Sequence, residues 1–180
     1  MRPLVLIGIK HCGKSTLGKL LARRFNCPFI DSDDELVKTF SAETGSCCNI
    51  REIYRILGEE KFRELEAEVI RAMRSPRFRI IALGGGAAAN SFLTEQDLKS
   101  LGKIIWLDTC DAVAYKRVLR NGLPPFLAEA EDPEKLFTVI NARRRKDFAR
   151  IADVTIPIGE EKDKREVISR LAAILESIEE

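Results

Sequence analysis

The chain alternates short apolar runs with longer amphipathic stretches from one end to the other. Apolar runs of strand length fall at 3–8 (Pro3-Leu4-Val5-Leu6-Ile7-Gly8), 28–31 (Pro28-Phe29-Ile30-Asp31), 79–83 (Arg79-Ile80-Ile81-Ala82-Leu83), 103–107 (Lys103-Ile104-Ile105-Trp106-Leu107) and 154–158 (Val154-Thr155-Ile156-Pro157-Ile158). Between them the apolar positions recur every three or four residues. Leu17, Leu20, Leu21 and Phe25 share one helical face after the first run. Val167, Leu171, Ile174, Leu175 and Ile178 share another, in a last helix that Asp163-Lys164-Arg165-Glu166 opens in the manner of a capping box. Strands alternating with helices predict an α/β domain with a largely parallel sheet covered on both faces, and such sheets collect ligands at the carboxyl ends of their strands. Two segments follow neither period. Thr39 to Asn49 is rich in small polar residues, and Asn121 to Asp132 carries Pro124-Pro125 near its start, so both are expected as mobile loops over a site.

With 180 residues and 45% hydrophobic content the chain fills one core rather than two, which makes 1–180 a single domain. A net charge of +2 gives no general drive towards nucleic acid or a membrane surface, so any anion site must be local. The first residues run straight into a core strand, and no apolar stretch approaches the ~18 residues needed to span a bilayer. A cytoplasmic monomer acting on a small molecule is the expectation. The five cysteines are odd in number and lack zinc-site spacing, which favours free thiols in a reducing compartment.

Residues 8 to 16, Gly8-Ile9-Lys10-His11-Cys12-Gly13-Lys14-Ser15-Thr16, form a complete G-x-x-x-x-G-K-[ST] sequence between the first strand and the first helix. That context is the one a phosphate-binding loop requires. Gly8 and Gly13 allow a tight turn whose N–H groups face inward, at the positive end of a helix dipole. Lys14 then reaches the terminal phosphates, Ser15 is placed to ligate magnesium, and Thr16 completes the nucleotide-binding set. Cys12 reads either as a small residue that fits the loop or as a thiol whose oxidation would block nucleotide entry. His11, the only histidine, reads as a solvent-facing loop residue. The loop binds nucleoside triphosphate without saying where the phosphate goes, because switches, motors and small-molecule kinases share this cradle.

Later strand ends supply the acceptor chemistry. Asp31-Ser32-Asp33-Asp34 ends the second strand, where one carboxylate can hold magnesium opposite Ser15 and another can accept a proton from an attacking hydroxyl. The same acids also suit a helix N-cap. Gly84-Gly85-Gly86 at the end of the third strand leaves backbone N–H groups open to a ligand. On a helix at 58–66, Glu59 and Glu66 lie about one turn either side of Arg63 and can hold it in place, unless they form an ordinary surface ion-pair network.

The phosphate loop, Phe29-Ile30-Asp31-Ser32-Asp33, Gly58-Glu59-Glu60-Lys61-Phe62-Arg63-Glu64-Leu65-Glu66 and Leu83-Gly84-Gly85-Gly86 stand in the order and spacing of the shikimate kinase family, which the chain resembles over most of its length. The resemblance implies a P-loop NTPase of the nucleoside monophosphate kinase type, a three-layer α/β/α fold with a five-stranded parallel sheet. It implies a substrate-binding region at about 33–65, a lid at about 118–132, and transfer of the γ-phosphoryl of ATP, with Mg2+, to the 3-hydroxyl of shikimate in aromatic amino-acid biosynthesis. By position, Lys14 and Asp33 would be catalytic, Ser15 and Asp31 would serve the metal, and Asp33 would also hold the substrate hydroxyls. Arg63 and Arg144 would grip the substrate carboxylate, Phe62 would line the pocket, and Gly84, Gly85 and Gly86 would offer backbone contacts. Arg144 is singled out of Arg143-Arg144-Arg145-Lys146 because Phe148 and Ala152 follow it at the family spacing. Arg117, with Arg120 as neighbour, would lie by the adenine. Asp108 is expected to be structural.

One position departs from the family. Where its lid carries Arg-Pro-Leu-Leu, this chain has Pro124-Pro125-Phe126-Leu127. Either Arg120 supplies that charge from the other side of the loop or turnover is low, since an arginine reaching the transferred phosphoryl contributes about 10³–10⁵ in rate in GTPases. The stretch between Asp33 and Gly58 is also longer than usual, and Lys10 with His11 makes the phosphate loop more basic. A related kinase of gluconate or of a nucleotide, or a nucleotide-dependent regulatory module, are the alternatives. A GTPase switch is disfavoured because no N-K-x-D sequence is present.

Overall fold

The structure, a computed structural model, describes residues 2–159 and 164–176. Five parallel strands are present: β1 (Leu4–Ile7), β2 (Phe29–Asp31), β3 (Ile80–Ala82), β4 (Lys103–Thr109) and β5 (Val154–Ile158), in the spatial order β2-β3-β1-β4-β5. Leu4, Val5 and Leu6 of the central strand are fully buried, as a strand covered on both faces must be. Register is continuous, Val5 opposing Ile81 on one side and Ile104 on the other. Helices α1 (Lys14–Arg24), α2 (Ser32–Thr44), α3 (Ile50–Ala72), α4 (Glu95–Lys99), α5 (Asp111–Arg120), α6 (Pro125–Ala128), α7 (Pro133–Ile151) and α8 (Lys164–Glu176) complete the α/β order. The capping start at Asp163 and the apolar position Ile178 lie outside the described residues, as does the side chain of Leu175.

The expected strands hold to within a residue except β4. It continues through Thr109, so Asp108 lies within the strand rather than after it. The two expected loops are shorter than the sequence suggests. Helix α2 takes in Thr39 to Thr44 and stops at Gly45, whose φ of 68° closes it in the left-handed conformation. Only 45–49 remain irregular before Asn49 caps α3, its side chain accepting from the N–H of Glu52 while Glu52 accepts from the N–H of Asn49. Between 121 and 132, the Pro124 carbonyl accepts from the N–H groups of Leu127 (2.9 Å) and Ala128 (3.0 Å), starting α6. Leu127 is fully buried there, and Asp132 caps α7 with Pro133 at its first turn.

Two local devices aim side chains at the strand ends. At Gly58 the backbone adopts φ 74° and ψ 175°, so α3 is broken there and Ile50–Leu57 runs in a different direction from Glu59–Ala72. The second is Arg145 on α7. It donates to both carboxylate oxygens of Asp111 (2.9 and 3.0 Å) and to the Thr109 carbonyl (2.8 Å), while Asn141 donates to the same carboxylate (2.8 Å). Helix α7 is thereby fixed to the end of β4, one residue away from Arg144. Arg143 and Lys146 are exposed.

Candidate active site

The loop between β1 and α1 takes the shape its glycines permit. Gly8 (φ 149°) and Gly13 (φ 104°) bracket His11, which is itself left-handed at φ 62°. A Cβ on Gly8 would sit 2.7 Å from the Leu107 carbonyl oxygen and 2.8 Å from Cys12 Sγ, closer than any side chain tolerates. Cys12 is fully buried beneath the loop, which favours its reading as packing. Lys14 Nζ donates to the carbonyls of Gly8 (2.9 Å) and Ile9 (3.0 Å), holding the ammonium across the loop. Arg117 Nη1 donates to the His11 carbonyl (3.0 Å) and so braces the loop from α5. His11 is half-buried rather than solvent-facing, and burial together with Lys10, Lys14, Arg51 and Arg117 lowers its pKa. A cleft of about 470 Å³ opens here. It is lined by His11 to Leu17, by Arg117, Arg120 and Asn121 of α5, by Ile158 and Gly159 after β5, and by Val167 of α8. That volume lies within the usual range for small-molecule sites.

Asp31 joins this cradle to its neighbour. Its Oδ2 accepts from Ser15 Oγ (2.7 Å) and its Oδ1 accepts from the N–H of Asp33 (3.1 Å), so one carboxylate caps α2 and faces the phosphate loop. The cap reading of Asp31 is satisfied by this geometry, and its other oxygen faces Ser15. A hydroxyl and a carboxylate side by side are hard oxygen donors of the kind magnesium takes, and no group of three or more His, Cys, Asp or Glu stands nearby among the described residues. Magnesium keeps several waters and phosphate oxygens of its own, so a small donor set of this kind fits it.

The three glycines after β3 leave room for charged groups from three other elements. A Cβ on Gly84 would come 2.6 Å from Asp33 Oδ1, and one on Gly86 would come 2.8 Å from Arg63 Nη1. The corresponding point on Gly85 lies 3.6 Å from Arg144 Nη1 and 3.5 Å from the backbone nitrogen of Lys10. Asp33, Arg63 and Arg144 therefore converge on one short turn. Ser32 secures that turn by accepting from the Gly84 N–H (2.8 Å). Arg63 Nη1 pairs with Glu66 Oε2 (2.9 Å), and Asn90 donates both to that oxygen (2.9 Å) and to the Arg63 carbonyl (2.8 Å). Glu59, expected to flank Arg63 from the other side, is exposed and forms no ion pair with it. Phe62 is buried edge-on against Tyr54, with the Arg63 guanidinium 5.9 Å from its ring centre.

Charge is concentrated here without being balanced. Burial, then the neighbouring carboxylates of Asp31 and Glu66, push the Asp33 carboxyl up to about 6, against the opposing pull of Lys14 and Lys10. Burial and the Arg63 charge lower the pKa of Arg144, while Glu66 raises it. A carboxyl raised to about 6 beside a half-buried guanidinium suits deprotonation of a hydroxyl on an anionic acceptor.

Comparison with known proteins decides the family. The shikimate kinase family model matches residues 10–176. The chain belongs to the shikimate kinase family. Members are ATP-dependent kinases of shikimate working in aromatic amino-acid biosynthesis. The chain is 31% identical to the shikimate kinase of Pasteurella multocida, covering 91% of this chain and 89% of that one. It is 32% identical to that of Rhizobium meliloti, covering 96% and 85%. The solved shikimate kinase of Acinetobacter baumannii, a complex with shikimate, superposes with a TM-score of 0.81 at 26% identity, covering 98% of this chain and 94% of that one. This shikimate kinase fold brings together Lys14, Ser15, Asp31, Asp33, Arg63, Gly84, Gly85, Gly86 and Arg144. It sets Arg117 and Arg120 on the far wall of the cleft. Asp108 lies 3.5 Å from the Arg145 guanidinium. Asn90, Ser32 and Arg145 carry the site's support; Ser32 and Arg145 sit in motifs read for their neighbours, and nothing in the local sequence marks Asn90. Glu66 holds Arg63 as its helical spacing allowed, and at 5% exposure it is not part of a surface network.

Proposed function

We propose that this chain transfers the γ-phosphoryl of ATP to the 3-hydroxyl of shikimate, with the residues above in defined roles. The observation that carries the assignment is the meeting of Asp33, Arg63 and Arg144 on Gly84-Gly85-Gly86, beside the phosphate loop. Arg63 and Arg144 hold the acceptor's carboxylate, because two planar guanidinium groups fix both its position and its plane. Glu66 and Asn90 keep Arg63 in that orientation. Asp33 accepts a hydrogen bond from the reacting hydroxyl and takes its proton as the oxygen attacks phosphorus. The P–O bond to ADP breaks as the new one forms, and ADP leaves with the charge it gains. Lys14 and the inward N–H groups of the loop stabilise the phosphate oxygens throughout. Magnesium, held through Ser15 and Asp31, supplies further charge neutralisation when bound. Phe62 backs the pocket, and Arg117 with Arg120 faces the adenine.

The organisation that supports this reading is a single domain over 1–180, with the acceptor region at about 33–65 and a lid at about 118–132. Among the described residues no helix is long and apolar enough to cross a membrane. The near-balanced charge supports a small-molecule enzyme with no nucleic-acid partner, here taken as a cytoplasmic monomer.

ADP release measured with MgATP and a panel of shikimate, gluconate and nucleoside monophosphates tests the acceptor. Shikimate-dependent turnover is expected. Turnover with another member of the panel and none above background with shikimate overturns the reading.

A further inference from the structure

The basic residues around the two halves of the site divide into those already engaged and those without a partner. Lys14 donates to loop carbonyls, Arg117 to the His11 carbonyl, Arg63 to Glu66 and Arg145 to Asp111. Lys10 and Arg144 make no hydrogen bond or ion pair with any described side chain. Arg144 is explained by the acceptor's carboxylate. Lys10 is not. It stands at the crest of the phosphate loop, half-buried, with its backbone nitrogen and the Arg144 guanidinium both within 3.6 Å of one point above Gly85. Its ammonium lies in the electrostatic reach of the Arg51, Arg144 and Lys14 cations and of the Asp33 carboxylate.

A half-buried ammonium among other cations is unfavourable unless an anion joins it. The acceptor's carboxylate already has two arginines, so the unsatisfied charge at Lys10 calls for a second anionic group between Lys14 and Asp33. In a phosphoryl transfer the group that occupies that interval is the phosphoryl itself. Across the site, at the lid, Pro124 is buried, starts α6 through its carbonyl and carries no charge to offer.

Resting on the proposed acceptor chemistry, we infer that Lys10 is a catalytic residue of this enzyme, its ammonium contacting the γ-phosphoryl as it passes from ADP to the acceptor hydroxyl. The bonds exchanged are those already described, the P–O bond to ADP and the new P–O bond to the acceptor, with the proton going to Asp33. Lys10 keeps its proton throughout and acts by charge. Its contribution grows as negative charge spreads over the equatorial oxygens of the transition state. Arg51, exposed at the rim, raises the potential of the same region without touching the phosphoryl.

The test compares wild type with Lys10→Met and Lys10→Arg in MgATP and shikimate. It adds titrations of ADP with and without aluminium fluoride in the presence of magnesium and shikimate. Lys10→Met is expected to lower kcat by about 10²–10³, with KM for shikimate and the ADP dissociation constant changed by less than about threefold. The tightening that aluminium fluoride gives to ADP binding should be lost in the same variant. Lys10→Arg should recover most of kcat, a result that a merely folding-defective loop would not give. Unchanged kcat in Lys10→Met overturns the inference. So does a large rise in KM for shikimate at constant kcat, which would make Lys10 a carboxylate ligand. Absence of shikimate turnover in the wild type would instead overturn the acceptor assignment itself.

Discussion

The donor and acceptor halves of the site are built on opposite principles. The donor half is one contiguous segment, Gly8 to Thr16, whose shape follows from backbone conformation: two glycines and His11 at positive φ, and a helix beginning at Lys14. The acceptor half is assembled from four separate segments that meet only because the sheet is parallel, with Asp33 from α2, Arg63 and Glu66 from α3, the turn after β3, and Arg144 from α7. Side chains carry its function, and buried charge is its cost. The difference teaches that the shape of the first half follows from its main-chain path, to which Lys14 adds charge, whereas the second is assembled from side chains that can be retuned one at a time.

That contrast can be broken in graded ways. Asp33→Asn should lower kcat by about 10³ while the ATP dissociation constant stays within about twofold, measured by ADP release and by titration. A comparable loss of ATP affinity would merge the two halves. Gly84→Ala places a Cβ 2.6 Å from Asp33 Oδ1 and must displace it. A shift of about 1 Å should cost on the order of 10² in kcat. Glu66→Gln keeps the shape but removes the charge that orients Arg63, so KM for shikimate should rise about tenfold with KM for ATP unchanged. The smallest effect is on stability.

The Asp33 carboxyl is pushed up to about 6 in the folded chain from an ordinary value of 3.8. Folding therefore takes up a proton between those values, and the ionised group opposes folding fully above pH 6 and not at all below the ordinary value. Asp33→Asn, in EDTA and without nucleotide, should then be more stable than wild type at pH 8 by about 1–3 kcal/mol. That corresponds to a rise in Tm of about 2–12 °C. The gain should vanish near pH 3.5, and a gain that persists at low pH would show that burial of ionised Asp33 is not its source.

How legible each half was in the sequence follows from the same contrast. The phosphate loop, the strand-helix alternation and the strand ends were readable because each is a local pattern. Arg144 was distinguishable from Arg143, Arg145 and Lys146 only by its spacing to Phe148 and Ala152, and the structure gives the reason: Arg145 is locked onto Asp111 and the other two face solvent. The helical spacing showed that Glu66 could hold Arg63, but neither its burial nor its sharing with Asn90 could be read, since both depend on packing between α3 and the segment after β3. The helical nature of Thr39 to Thr44 was hidden by small polar residues of weak propensity, which tertiary packing of Phe40 overrides. The lid was legible as an exception rather than as a structure. Pro124 stood out against the expected lid sequence, but the sequence did not show that it is buried and begins α6.

The separateness of the two halves is tested most directly by titrating ATP and shikimate separately into Lys14→Met and Arg144→Met. The account predicts that Lys14→Met loses ATP affinity and keeps shikimate affinity, and that Arg144→Met does the reverse. Loss of both ligands in either correctly folded variant would contradict it.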